Sequence, residues 1–316
     1  MQILIVGAGS VGQLYGYILQ RAGARVDVYV RPKYAEDAAS GFLLYDRSKG
    51  LQAPDEFIPS GVRTTPDDLK KLNYDAVILC IPSTGLSDSW LAEFTEPLGD
   101  TLLISLTPGL QDREMITRFL DDEQVATGMI TSVSYPAPLP SDPECEPGTA
   151  YWFPPLAPAP FEGDTERLQP ILELLKKGGM KSKRVSNLAH QSAFGTAVLM
   201  PSIAVLETVD WSFTKLRKNK ERRKFLKACQ EETISLVEAH LERSRPLPLR
   251  LLSPALMAGA LVVAPSVPPF DLEIYLKVHF TKVGAQTRQF LSNYIEQRAD
   301  RGLSSPNIEA LLGELA

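Results

Sequence analysis

Cysteine is scarce in this 316-residue chain: Cys80, Cys145 and Cys229 are widely spaced and odd in number, which speaks against a disulfide framework and a zinc site. Such usage fits a reducing compartment, so a cytoplasmic protein is expected. Histidine is equally sparse, with only His190, His240 and His279, and no metal is expected. No basic segment followed by an apolar core and a small-residue cleavage site precedes the first apolar run, so export is not expected. The most apolar later stretch, LLSPALMAGALVVAPSVPPF, is broken by Pro254 and Pro265 and leaves too short a span to cross a bilayer. It reads as a buried helix with its loop. Excess positive charge is absent too: 33 basic against 38 acidic side chains give a formal charge of -5 and a pI near 5.4. That balance argues against a general nucleic-acid binder. No repeat of solenoid period is present.

What is present is an alternation. Ile3 to Val6 form a continuously apolar, β-prone run, as a parallel strand covered on both faces requires. Val11 to Gln20 read as a helix closed by Ala22 and Gly23. Further strands follow in ARVDVYVR, DAVILCIP and TLLISL, with the helical SDSWLAEFTEPL between the last two. Strand and helix in alternation imply a doubly wound parallel sheet, because parallel neighbours need crossover connections. After ITSVSY come nine prolines between Pro136 and Pro160, which reads either as a loop over a cleft or as a pair of irregular edge strands. From Asn187 onward the pattern is helical almost throughout, including SAFGTAVLMPSIAVLE, ERRKFLKACQEETISLVEAHL and EIYLKVHFTKVGAQTRQFLSNYIEQRADRG. The length favours two domains: an α/β domain over residues 1–185 and an all-α domain over 186–316.

The first strand runs into GAGSVG. Gly7 permits a tight turn, Gly9 lets backbone reach a pyrophosphate, and Gly12 lets the helix pack closely on the strand. With Ser10 and Val11, these residues open a helix whose N–H groups and dipole favour phosphate. At the end of the second strand, where an NAD site places an acid for the ribose hydroxyls, this chain has Arg31 and then Lys33. A guanidinium pairs with a 2′-phosphate that a carboxylate would repel, so NADP is the expected cofactor. Asp27 is the rival ribose contact, poorly placed before the strand end.

The order of features resembles the ketopantoate reductase (2-dehydropantoate 2-reductase) family over nearly the whole chain. The resemblance rests on GAGSVGQLYG with Arg31, on TAVLMPSIA after the domain boundary, and on the ending RGLSSPNIEALL with Gly302 and Pro306. It implies a dinucleotide-binding domain and a helical domain with the active site between them, an NADP-dependent reductase, and a place in pantothenate biosynthesis. It also implies departures. The family's proton-donating lysine falls at Ser192, with Thr196 and Met200 at the asparagine positions, and its substrate-orienting glutamate falls at Gln286. Its asparagine and glycine after the fourth strand correspond to Leu106 and Thr107, and its lysine after the third strand is replaced near Ile81 and Pro82.

A ketone reduced by hydride still needs a proton for its oxygen. On one continuous helix, Lys282 and His279 would lie one and two turns before Gln286 on the same face, so HFTKVGAQ offers replacement donors, with Lys282 shifted by partial burial. The competing reading makes them a solvated face, and Ser192 and Thr196 small packing residues. The run KLRKNKERRKFLK, with eight basic side chains, reads as an exposed helix and loop. Tyr151, Trp152 and Phe153 are either a lid or core. Two functions follow from these residues: a hydride-transferring reductase of a small 2-oxo acid or related carbonyl, or a catalytically silent NADP-binding sensor. Partners are expected to be small molecules and a second copy of the chain through the helical domain, with no membrane or nucleic acid.

Overall fold

The computed structural model describes residues 1–107, 112–251 and 253–315, without the side chains of residues 189–191. It divides into two compact units: residues 1–138 with 142–188, and residues 189–316 with 139–141.

The first unit is built on an eight-stranded sheet of β1 (Gln2–Val6), β2 (Arg25–Tyr29), β5 (Gly61–Arg63), β6 (Ala76–Leu79), β7 (Leu102–Ser105), β8 (Val125–Gly128), β11 (Ala159–Glu162) and β12 (Ser182–Arg184). Its order is β12-β11-β8-β7-β6-β1-β2-β5. Strands β5 to β8 run parallel to β1 and β2, and β11 enters antiparallel to β8. The central six therefore follow the doubly wound dinucleotide-binding order, which reverses beside β1. Alternation explains the double covering: Ile3, Ile5 and Ile78 enter one core cluster, and Leu4, Val6, Val77 and Leu79 enter the other. Helices of this unit are α1 (Ser10–Arg21), α2 (Ala35–Ala39), α3 (Asp88–Thr95), α4 (Asp112–Ile116) and α5 (Thr165–Lys177).

A second sheet was legible only in part. The proline-rich segment contains a pair of strands, only one of them at an edge: β9 (Val133–Ala137), the edge strand, pairs antiparallel with β10 (Gly148–Trp152), which lies inside the sheet. They join β3 (Phe42–Asp46) and β4 (Asp55–Phe57) in the order β4-β3-β10-β9. This sheet packs on α1, where the Tyr17 hydroxyl donates to Asp55 at 2.7 Å. Tyr151 is buried beside Tyr17 and Phe153, so its ring is core.

The second unit is helical: α6 (Leu188–Glu207), which begins at the boundary, α7 (Phe213–Lys218), α8 (Lys220–Leu241), α9 (Leu247–Arg250), α10 (Pro254–Val263), α11 (Leu272–Lys282), α12 (Gly284–Ala299) and α13 (Pro306–Glu314). Pro201 lies inside α6 and deprives the Ala197 carbonyl of its intrahelical donor. The Thr233 hydroxyl of α8 replaces that donor at 2.6 Å. The GLSSPN ending is held in the same manner. Glu232 of α8 accepts from the Asn307 and Ile308 N–H groups at the start of α13. The buried Arg298 guanidinium donates to the Ser304 carbonyl, the Ser305 hydroxyl, the Glu232 carbonyl and the Ser235 hydroxyl. The basic run spans α7 and the start of α8 and is mostly exposed.

Two readings need correction. The apolar stretch around α10 is not buried: within the helix only Met257 is, while Leu256, Val262 and Val263 are 58%, 57% and 61% exposed. Its residues are apolar all round, so periodicity marked no outer face. The long late helix is also broken, because Val283 leaves the helical region at φ -106° and ψ 20° before Gly284, a poor helix former.

Candidate active site

The carboxyl ends of β1, β6 and β7 lie side by side where the strand order reverses, the place at which open α/β sheets take ligands. Gly7 leaves β1 with φ 91°, and its N–H donates to the Tyr29 carbonyl at 2.9 Å. A Cβ at Gly12 would lie 1.9 Å from the Gly7 carbonyl oxygen, so α1 approaches the turn more closely than any side chain allows. Gly9 is different. It is the N-cap of α1, it is exposed, and an added Cβ would meet nothing within 4 Å. Having no side chain, it leaves the first-turn N–H groups of α1 as donors for an anion. Ser10 and Val11 are half-buried in that turn.

Gln13, unremarked in the sequence reading, ties the turn together. Its backbone N–H donates to the Gly9 carbonyl at 2.9 Å and its side-chain amide donates to the Ala8 carbonyl at 2.8 Å. The Thr149 hydroxyl of β10 donates to its Oε1 at 2.6 Å. A glutamine directly after the fingerprint was a visible signal. Nothing pointed to Thr149, which sits among prolines and pairs only through the fold.

Arg31 follows β2 and is exposed. Its guanidinium carbon lies 5.2 Å from the Tyr34 ring centroid, and Lys33 Nζ lies 4.8 Å from the same centroid. The ring face holds two cations at the end of β2. Asp27 is fully buried. Its Oδ2 accepts from Arg63 Nη2 and from the Tyr74 hydroxyl, each at 2.8 Å, and burial raises the Tyr74 pKa. This carboxylate joins β2 to β5 inside the protein instead of facing solvent.

Ile81 is half-buried, with Cγ2 2.8 Å from where a Gly7 Cβ would stand, and Pro82 is exposed beside it. Leu106 is buried in the core, and its N–H donates to the Leu79 carbonyl at 3.2 Å. Thr107 is buried, its hydroxyl 2.6 Å from that of Ser105. The structure thus brings Gly7, Gly9, Ser10, Val11, Gly12 and Ile81 together around one turn.

The remaining candidates lie in the helical unit. Ser192 and Thr196 are half-buried one turn apart on α6. His279 and Lys282 end α11, whereas Gln286 belongs to α12, so the break at Val283 separates what a continuous helix would have aligned. Lys282 is exposed, not half-buried as the argument for its role required. His279 stacks on Tyr275 at 5.4 Å and meets Phe280 edge to face at 4.9 Å. Burial, followed by the Lys282 charge, holds its imidazole below the usual histidine pKa. His240 Nδ1 lies 3.1 Å from Arg301 Nη2, decorating a helix end. The side chain of His190 lies outside the described residues.

Among the described residues no cluster suited to a metal ion occurs, and no helix is long and apolar enough to cross a membrane. Residues 3–136 match the family model described as Ketopantoate reductase PanE/ApbA. No curated protein matches the sequence. Similar solved structures include a PanE/ApbA family ketopantoate reductase from Ralstonia eutropha JMP134, at 18% identity and TM-score 0.73, covering 100% of this chain and 97% of that one. The 2-dehydropantoate 2-reductase from Geobacter metallireducens GS-15 shows 18% identity and TM-score 0.70 over 100% and 99%. D-mandelate dehydrogenase, solved with NADH and anilino(oxo)acetate, shows 14% identity and TM-score 0.73 over 100% and 97%. At these identities the likeness is one of fold.

Proposed function

We propose that this chain, whose residues 3–136 match the ketopantoate reductase family model, is an NADP-dependent oxidoreductase acting on a small 2-oxo acid or the corresponding hydroxy acid. The observation that carries the reading is the glycine turn at the strand-order reversal, with Arg31 exposed at the end of β2. A bound nicotinamide nucleotide supplies the hydride; every other task falls to the chain. Gly7, Gly9, Ser10, Val11 and Gly12 hold the pyrophosphate, with Ile81 and Pro82 beside them, and Leu106 and Thr107 directly follow the neighbouring strand β7. Arg31 and Lys33 hold the 2′-phosphate, a role open to them because Asp27 is committed to Arg63.

Ser192 and Thr196 offer hydroxyls to the substrate and Gln286 an amide. Lys282 is the remaining candidate proton donor, as an exposed ammonium at the end of α11 and no longer as one shifted by burial. His279, its pKa lowered, is neutral at pH 7 and hydrogen-bonds without charge. The test is NADPH and NADH oxidation with a panel of 2-oxo acids that includes ketopantoate, repeated on Lys282→Ala, His279→Ala and Arg31→Glu. Unchanged turnover in the first two removes those residues from the reaction, and an unchanged nucleotide preference in the third removes Arg31 from cofactor choice. Ser192 at the position of the family's lysine favours a second reading, a sensor that binds NADP without turnover. Saturable binding with no oxidation would select it.

The partner is a second copy. Leu247, Leu251, Leu256, Val262, Val263 and Val267 are each more than half exposed, enough apolar area to supply much of the ~800 Å² that each side of a stable interface buries. A groove there is lined by Arg217, Asp271 and Glu273, charges of both signs that a self-complementary two-fold face can pair. Sedimentation should give a dimer that Leu256→Glu with Val263→Glu converts to monomer; a monomeric parent overturns the assignment.

A further inference from the structure

The second sheet of the N-terminal unit lies outside the dinucleotide-binding core, yet one of its side chains reaches the glycine turn. We infer that Thr149 and Gln13 form a positioning relay that fixes the phosphate-binding turn, so that β10 sets the affinity for the nucleotide. The inference rests on the proposed nucleotide site and names residues with no role in it so far.

Gln13 grips two consecutive peptide groups, the Ala8 carbonyl through its amide and the Gly9 carbonyl through its backbone N–H. In a planar trans peptide the N–H points opposite to the C=O, so holding the Ala8 carbonyl aims the Gly9 N–H away from Gln13. With the Ala8 and Gly9 carbonyls both held, the N–H groups of Gly9 and Ser10 are fixed in direction.

An amide side chain can do this only in one of its two flips, because Nε2 donates and Oε1 accepts. The Ala8 carbonyl, which can only accept, fixes that flip, and Thr149 anchors the other end of the amide. Its hydroxyl donates to Oε1 at 2.6 Å. Thr149 is 2% exposed, so water does not compete for its proton. Its register is fixed on both sides, opposite Pro136 of β9 and Leu44 of β3. The proline-rich hairpin thereby buttresses the turn at which the pyrophosphate is held.

The experiment uses the full-length protein and three variants, Thr149→Val, Thr149→Ser and Gln13→Leu. NADPH affinity is measured by fluorescence titration beside the affinity for adenosine 2′-phosphate, which carries the 2′-phosphate but no pyrophosphate. One lost hydrogen bond of this kind corresponds to up to about tenfold in a binding constant. Thr149→Val and Gln13→Leu should weaken NADPH about tenfold and adenosine 2′-phosphate less than about twofold, and Thr149→Ser, which keeps the hydroxyl, should restore NADPH affinity. A parent protein that binds neither pyridine nucleotide defeats the functional reading itself. If the parent binds and Thr149→Val binds equally well, the relay is wrong. Equal weakening of both ligands, or no rescue by serine, reduces Thr149 to a general packing role and overturns the inference.

Discussion

The glycine turn and the helical unit solve opposite problems. In the turn, backbone approaches backbone so closely that residue identity is dictated by space: at Gly12 a Cβ would stand 1.9 Å from a carbonyl oxygen. In the helical unit, backbone groups are stranded by Pro201 and by the start of α13, and side chains from α8 satisfy them, Thr233 at Ala197 and Glu232 at Asn307 and Ile308. A motif of the first kind describes how closely one stretch of backbone must approach another. A motif of the second kind describes how helices are pinned, and TAVLMPSIA and GLSSPN are of this kind here.

The comparison breaks most visibly inside the fingerprint. Gly12→Ala forces α1 away from β1 and should cost about 3 kcal/mol in urea denaturation, with loss of nucleotide binding. Gly9→Ala meets no atom within 4 Å and should leave the urea midpoint unchanged while weakening the nucleotide. Equal destabilisation by the two substitutions would mean that Gly9 too is a packing glycine and that the turn is not held open for a ligand.

The same contrast explains what could be read from the sequence. Consecutive apolar residues in Ile3–Val6 require a sheet covered on both faces, and the position of Arg31 after β2 follows from simple counting. The small sheet was legible only as an alternative, because pairing of Gly148 with Ala137 and of Thr149 with Leu44 is a long-range choice that prolines obscure. The helix through His279, Lys282 and Gln286 was overextended because Val and Gly are tolerated in helices, and whether they break one is decided by tertiary packing. The exposure of α10 had no local signal at all, since an apolar helix facing solvent and one facing a core share a composition.

A smaller effect tests the repair in the helical unit. Thr233→Val keeps shape but removes the hydroxyl that serves Ala197, and should cost about 1 kcal/mol or somewhat more. Pro201→Ala returns an N–H to α6 at the position that bonds the Ala197 carbonyl. In that background Thr233→Val should cost less, and the coupling read from a double-mutant cycle should be about 0.5 kcal/mol or greater. Additivity would show that Thr233 acts by packing and not as a substitute donor.

The smallest effect concerns acid, and it separates the aromatic cluster from the exposed ionic surface. His279 sits between Tyr275 and Phe280, with its pKa lowered by burial and then by the charge of Lys282. Above the ordinary histidine pKa of about 6.5 the ring is neutral in folded and unfolded chains alike, and contributes nothing to pH dependence. As pH falls below that value the unfolded chain takes up a proton that the folded chain resists, so stability is lost towards acid. The ring is only half-buried, and the loss between pH 7.5 and 5.5 should be about 0.5 kcal/mol or less after solvent screening. His279→Phe retains the ring and removes the proton site, so its urea midpoint should fall less over that interval than the parent's. An equal fall in both proteins would place the acid sensitivity in the surface carboxylates and leave His279 as packing alone.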